Sequence, residues 1–200
     1  MIKPDIVKEV NSLSEFYDKL TAMQQTAHFT EYCAHHKPLK ELTKKCDTVK
    51  ELGVCQGVTL AAMMMEKPKK IIGIDIMPKY FNPYSKLFYD YAEKHNIDFE
   101  FKIANTMEAE SVSDCDLLHI DTTHKGNVLA KELEMHGSSV KKYIVFHDTC
   151  NYAGSDGLLV EIAKFITKYQ YWQIIDHNIQ RVGYTVIKRV KRLPSHNERR

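Results

Sequence analysis

Short β-branched runs recur along this chain with segments of helical period between them, and that alternation leaves few folds open. The runs are "TVKELGV" at 48–54, "KIIGIDI" at 70–76, "DFEFKIA" at 98–104, "CDLLHID" at 115–121 and "KYIVFHD" at 142–148. Two more, "YWQIID" at 171–176 and "VGYTVIKRV" at 182–190, follow. Strands alternating with helices predict a parallel sheet with helices on both faces. Parallel strands covered on both sides read as continuous apolar runs, as these do.

The helical segments follow from spacing. Tyr84, Leu87, Phe88, Tyr91 and Ala92 recur at i, i+3, i+4, i+7 and i+8, which aligns them on one face. Leu158, Leu159, Ile162, Ala163, Ile166 and Tyr169 predict another helix. Val128, Leu129 and Leu133 mark a third, and Leu60 to Met65 a fourth, with Met63–Met65 as core packing. Ser12 and Glu15 have capping-box spacing ahead of a stripe of Leu13, Phe16, Leu20 and Met23. Only "HNIQR" separates the last two strands, too little for a crossover helix, so they should pair antiparallel. The expected architecture is α/β: a Rossmann-like, doubly wound sheet of seven strands, five βα units closed by an antiparallel C-terminal hairpin. A helical N-terminal extension would occupy 1–46, the sheet domain 47–190 and a basic tail 191–200. A chain of 200 residues can bury such a core without staples.

Composition narrows the function. The net charge of +2 gives no general attraction to nucleic acid or anionic membrane. The cationic end (Lys188, Arg189, Lys191, Arg192, Arg199, Arg200) reads as a solvated tail. Five scattered cysteines without Cys-x-x-Cys spacing fit a reducing cytosol better than a disulfide framework or zinc ribbon. The opening "MIKPDIVKEVNSLSEF" lacks the apolar core of a signal peptide, and no run is long enough to span a bilayer. A cytoplasmic protein acting on a small molecule is the expectation, with homo-oligomerisation open.

In an open parallel sheet, ligands bind outside the carboxyl ends of the strands. The first strand leads into "ELGVCQGVTLAA", with Glu51, Gly53 and Gly57 before a helix. The spacing is neither the dinucleotide fingerprint nor a phosphate-cradling P-loop. An NAD-dependent oxidoreductase is therefore disfavoured. Asp75 ends the second strand about where nucleotide-binding sheets place a ribose partner. It also suits a turn before Pro78. Asn105 and Thr106 either cap a following helix or contact a base, capping being the simpler role. "HID" and "FHD" put Asp121 and Asp148 on strand ends expected to be neighbours, with His147 and His124 close by. Two adjacent acids repel unless something positive lies between them, which favours a divalent cation over simple helix capping. His28, His35 and His36 read as ordinary histidines of a solvated helix, with a reach over the acceptor site as the alternative.

"VKELGVCQG", "IIGIDI", "DLLHIDTTHKGNVLAKEL" and "KKYIVFHDT", in this order, resemble the class I S-adenosylmethionine (SAM)-dependent methyltransferases. The nearest branch is the metal-assisted small-molecule O-methyltransferases, including macrolide-sugar and cephalosporin-hydroxylase-like groups. The resemblance covers about residues 45–190. It implies methyl transfer from SAM to a hydroxyl, a sugar being one such acceptor. It places Glu51, Gly53, Val54 and Gly57 along the methionine end of SAM. Asp75 would hold the ribose and Ile76 the adenine, with Thr106 and Asp121 also among the cofactor-binding residues. Asp121, Asp148 and His147 would face the metal, usually Mg²⁺, although His147 stands where some members carry Glu. His124 matches the family's Asp-x-x-His and is the candidate base, with Lys125 second. The alternative is a catalytically inactive SAM- or nucleoside-binding protein of the same fold. "FNPYSK" at 81–86 resembles a DNA amino-methyltransferase motif, but it follows the wrong strand and reads as a helix entry.

Overall fold

The computed structural model describes residues 10–26, 35–150, 156–179 and 182–190. His28, Cys33 and the basic tail lie outside these residues. In chain order the elements are α1 (Leu13–Thr26), α2 (His36–Thr43), β1 (Thr48–Leu52), α3 (Val58–Met64), β2 (Lys70–Asp75), α4 (Ser85–His95) and β3 (Asp98–Ile103). There follow β4 (Cys115–Ile120), α5 (Gly126–His136), β5 (Val140–His147), α6 (Leu158–Lys168), β6 (Trp172–Asn178) and β7 (Tyr184–Arg189).

The strands form one sheet in the order β3-β2-β1-β4-β5-β7-β6. The first five run parallel, and β7 inserts antiparallel between β5 and β6. The seven-stranded doubly wound sheet with its closing hairpin is thus present.

Alternation along each strand splits the core in two. Val49, Ile71, Leu117, Tyr143 and Val145 pack with Leu13, Phe16, Leu20, Leu39, Leu60, Met63 and Phe88 from α1 to α4. Leu52, Ile72, Leu118, Ile144 and Phe146 pack on the other face with Leu129, Leu133, Leu158 and Ile162 from α5 and α6. Ser12 caps α1, with the return bond of the expected capping box shifted by one residue. The Ser12 hydroxyl accepts the Glu15 N–H at 3.2 Å, and the Glu15 carboxylate reaches back to the Asn11 N–H at 2.9 Å.

Three expectations need correction. No α-helix joins β3 to β4; that segment holds one 3-10 turn, Ala109–Ser111. "ANTMEAESVSD" has too few apolar residues for a helical stripe, and its Ser111 hydroxyl bonds the Glu108 carbonyl at 2.6 Å instead. On α6, Leu159 faces solvent and Phe165 takes the core position. His35 and His36 are not solvated: each is 3% exposed. The edge strand β6 is exposed along most of its length, with a register irregularity between Ile174 and Asp176.

Candidate active site

The sheet order reverses between β1 and β4, and in such a sheet the crevice for a ligand lies at the carboxyl ends of the strands beside that point. Here Gly53 has φ 83°. A Cβ on it would collide with the Asp121 carbonyl and the Thr122 Cα, so the glycine is what lets the β1 and β4 turns touch. Gly57, at φ 88°, begins α3 against Phe81 and Phe88. Between them Cys55 holds φ 50° with an exposed side chain.

Asp75 faces this turn. One carboxylate oxygen accepts the Val54 and Cys55 N–H groups at 2.9 and 2.8 Å. The other accepts the Met77 N–H at 2.7 Å. A carboxylate offers about four lone-pair sites, so one remains, enough for a single hydroxyl rather than a vicinal pair. Beside it, Ile76 is 62% exposed, and Ile103, the register partner of Asp75 on β3, is 65% exposed. The carboxyl ends of β2 and β3 therefore present apolar surface around one ordered acid.

Glu51 lies inside β1, opposite His119 on β4. Glu51 Oε1 is 3.0 Å from His119 Nδ1. Burial pushes the Glu51 carboxyl up to about 7, against the pull of His119. Glu51 Oε2 and His119 Nε2 have no hydrogen-bond partner among the described residues. His35 covers this pair. Its ring stacks on His119 at 5.5 Å and lies 4.3 Å from that of His147. Burial and the imidazoles around it hold His35 well below the usual histidine range. His36 lies 3.2 Å from both the Tyr17 and Thr59 hydroxyls, and burial lowers it to about 3.

The turns after β4 and β5 bring the polar groups together. Asp121, His124 and Asp148 offer ligand atoms that all lie within 4.8 Å of one another. His124 Nε2 is 2.6 Å from Asp148 Oδ2 and 3.8 Å from Asp121 Oδ1. His147 Nδ1 stands 3.2 Å from Asp148 and 3.4 Å from Asp121. Asp148 adopts φ 57°, a left-handed conformation rare for a residue with a side chain. The neighbouring carboxylates of Asp121 and Asp148 raise His124 to about 9. Burial would lower His147, but Asp121 and Asp148 win and raise it to about 10. Burial likewise opposes ionisation of both acids, yet the two histidines hold Asp121 well below the usual carboxylate range and lower Asp148. The raised histidines and lowered acids favour the charged form of each partner, so positive and negative groups offset one another here. The donor set of two carboxylates and an imidazole suits a hard or borderline divalent cation, which would take the place of that positive charge.

The expected metal-facing residues Asp121, Asp148 and His147 are thus neighbours, and His124 stands inside the same group rather than apart from it. Lys125 is exposed at the start of α5. Thr106 points elsewhere: its hydroxyl donates to Glu132 on α5 at 2.5 Å. Sequence reasoning passed over His119 and Glu132 as site neighbours and gave a reach of His35 over the site only as the alternative. A histidine at the fifth position of a strand buried throughout was the available signal for His119.

The sequence matches no protein-family model and no curated protein. Solved structures do match. The O-methyltransferase from Bacillus cereus, in complex with S-adenosylhomocysteine (SAH), aligns with a TM-score of 0.61 at 14% identity, covering 94% of each chain. SAH-bound Podospora anserina methyltransferase PaMTH1 aligns at 0.61 and 12%, over 91% of this chain and 89% of that one. The B. subtilis M1A22 tRNA methyltransferase TrmK aligns at 0.57 and 12%, over 78% and 65%. This is the methyltransferase fold. At such identities the likeness concerns architecture, and an O-methyltransferase and a tRNA methyltransferase align about equally well.

Proposed function

We propose that this protein is a SAM-dependent methyltransferase that methylates a hydroxyl of a small molecule, a sugar being one such acceptor, with help from a divalent cation, Mg²⁺ in the first instance. The observation that carries the reading is the convergence of Asp121, His124 and Asp148 at the ends of β4 and β5, beside the reversal point of a methyltransferase fold. A fold alone does not choose a function; this group of side chains is what favours a catalyst over an inactive binding protein.

The cofactor's place would be over the ends of β1, β2 and β3. Ile76 and Ile103 supply exposed apolar surface for a base, and Asp75 has one acceptor site left for a ribose hydroxyl. SAM brings an already activated methyl group, and a bound divalent cation would make an acceptor hydroxyl more acidic and fix its position. The chain's own contribution is placement: the Gly53 contact holds the cofactor turn against the acceptor turn. A histidine whose Nε2 lone pair goes to a cation cannot also take a proton. That assigns His124 to the cation and leaves the proton to exposed Lys125 or to water.

The test is a calorimetric titration with SAH, in Mg²⁺ and then in EDTA. Micromolar binding, with Mg²⁺ retained by the wild type and lost in Asp121→Ala, supports the reading. Folded protein that binds no SAH in either buffer overturns it.

A further inference from the structure

On the sheet face opposite His35, one buried carboxylate joins the loop after β3 to the loop after β4. Glu132 of α5 is fully buried. One of its oxygens accepts the Thr106 hydroxyl, in the loop after β3, at 2.5 Å. The other accepts the Thr122 hydroxyl, between Asp121 and His124, at 3.0 Å. One helical turn on, His136 Nε2 donates to the Thr106 carbonyl at 2.8 Å, while its Nδ1 lies 3.3 Å from the Lys50 ammonium. Lys50 is itself fully buried on β1 and donates to the Ser113 carbonyl at 2.7 Å. Glu132 thus ties the β3 loop to the β4 loop, and His136, four residues on along the same helix face, ties the β3 loop to Lys50 of β1.

Packing does not ask for an acid here. An apolar side chain would fill the same space without the cost of burying a carboxylate, and burial does push Glu132 upward. What the acid provides is two strong acceptors facing two loops.

We propose that Glu132 is a positioning residue that couples the loop after β3 to the loop after β4, so that a cofactor ordering one raises the affinity of the other for a divalent cation. This rests on the functional reading above, with the cofactor over β1–β3 and the cation at Asp121, His124 and Asp148. Glu132 touches neither ligand. It acts because a loop already ordered on one carboxylate oxygen lowers the cost of ordering its partner on the other.

The experiment is a Mn²⁺ titration with and without saturating SAH, on wild type, Glu132→Ala, Glu132→Gln and Thr122→Val. In the wild type SAH should tighten Mn²⁺ by about fivefold or more, and Mn²⁺ should tighten SAH by the same factor. Glu132→Ala should bring that ratio to near one. Glu132→Gln should keep most of it, since the amide can accept from one threonine and donate to the other. A merely structural acid would change stability and leave the ratio intact. If Glu132→Ala does not fold, Thr122→Val, which leaves the Thr106 bond in place, carries the same expectation. Wild-type protein that binds both ligands without mutual effect overturns the coupling, as does a wild-type ratio in Glu132→Ala or Thr122→Val. Wild-type protein that binds neither ligand overturns the functional reading, and this inference with it.

Discussion

The two halves of the crevice are built by different means. At the ends of β1, β2 and β3, backbone does the work: Asp75 spends three acceptor sites on N–H groups of its own turns, and the side chains left facing outward are apolar. At the ends of β4 and β5, side chains do the work: Asp121, His124, His147 and Asp148 meet one another as charges. The first half rests on backbone hydrogen bonds gathered by one acid. The second is held by charge balance and should respond to anything that changes that balance.

The strongest way to separate the halves is Asp121→Ala. It should abolish divalent-cation binding and metal-dependent turnover while SAH still binds, measured by calorimetry on folded protein. Unchanged activity would remove the cation from the chemistry. Next comes pH. With His124 raised to about 9, a cation must displace its proton at neutral pH. Apparent Mn²⁺ affinity should therefore rise by up to about tenfold per unit from pH 6 to 8, while SAH affinity stays nearly flat. A flat Mn²⁺ profile would place His124 outside the ligand set.

Asp75→Ala tests the other half. It should weaken SAH by about tenfold and also cost about 1–3 kcal/mol of stability, because the Val54, Cys55 and Met77 N–H groups lose their acceptor. Equal stability in a urea melt would show that those bonds hold nothing. The smallest effect concerns α2. His36 is lowered to about 3 when folded and returns to about 6.5 when unfolded, so the unfolded chain takes up the proton first. Stability should fall as pH drops below about 6.5, by up to about 1.4 kcal/mol per unit. His36→Asn should lessen that slope in thermal melts between pH 7.5 and 5, buried His35 and His136 keeping their own shares, and a slope unchanged by the substitution would refute this account.

Much of the scaffold is legible in the chain because period is a local property. All five parallel strands lie within two residues of the expected runs, and five of the helices stand where apolar spacing put them. The missing helix between β3 and β4 shows the limit: regular alternation suggested a unit that "ANTMEAESVSD" has no stripe to support. The site was legible as a set of strand-end residues and not as a geometry. That His124 Nε2 comes to 2.6 Å of Asp148 depends on the left-handed backbone at Asp148, which no pattern of residues announces. The burial of His35 depends on where α2 docks, and a pair of adjacent histidines reads the same on a solvated helix as against a core.

The open margin of the sheet carries its own consequence. Among the described residues no strand pairs with the outer side of β6, and Ile174 and Ile175 are exposed on it. A straight apolar margin of that kind would template the addition of further chains and favour precipitation. The irregularity between Ile174 and Asp176 breaks its straight line and sets a carboxylate beside the isoleucines. Such a kink works as a guard against uncontrolled self-assembly, and straightening it would trade solubility for a longer ladder.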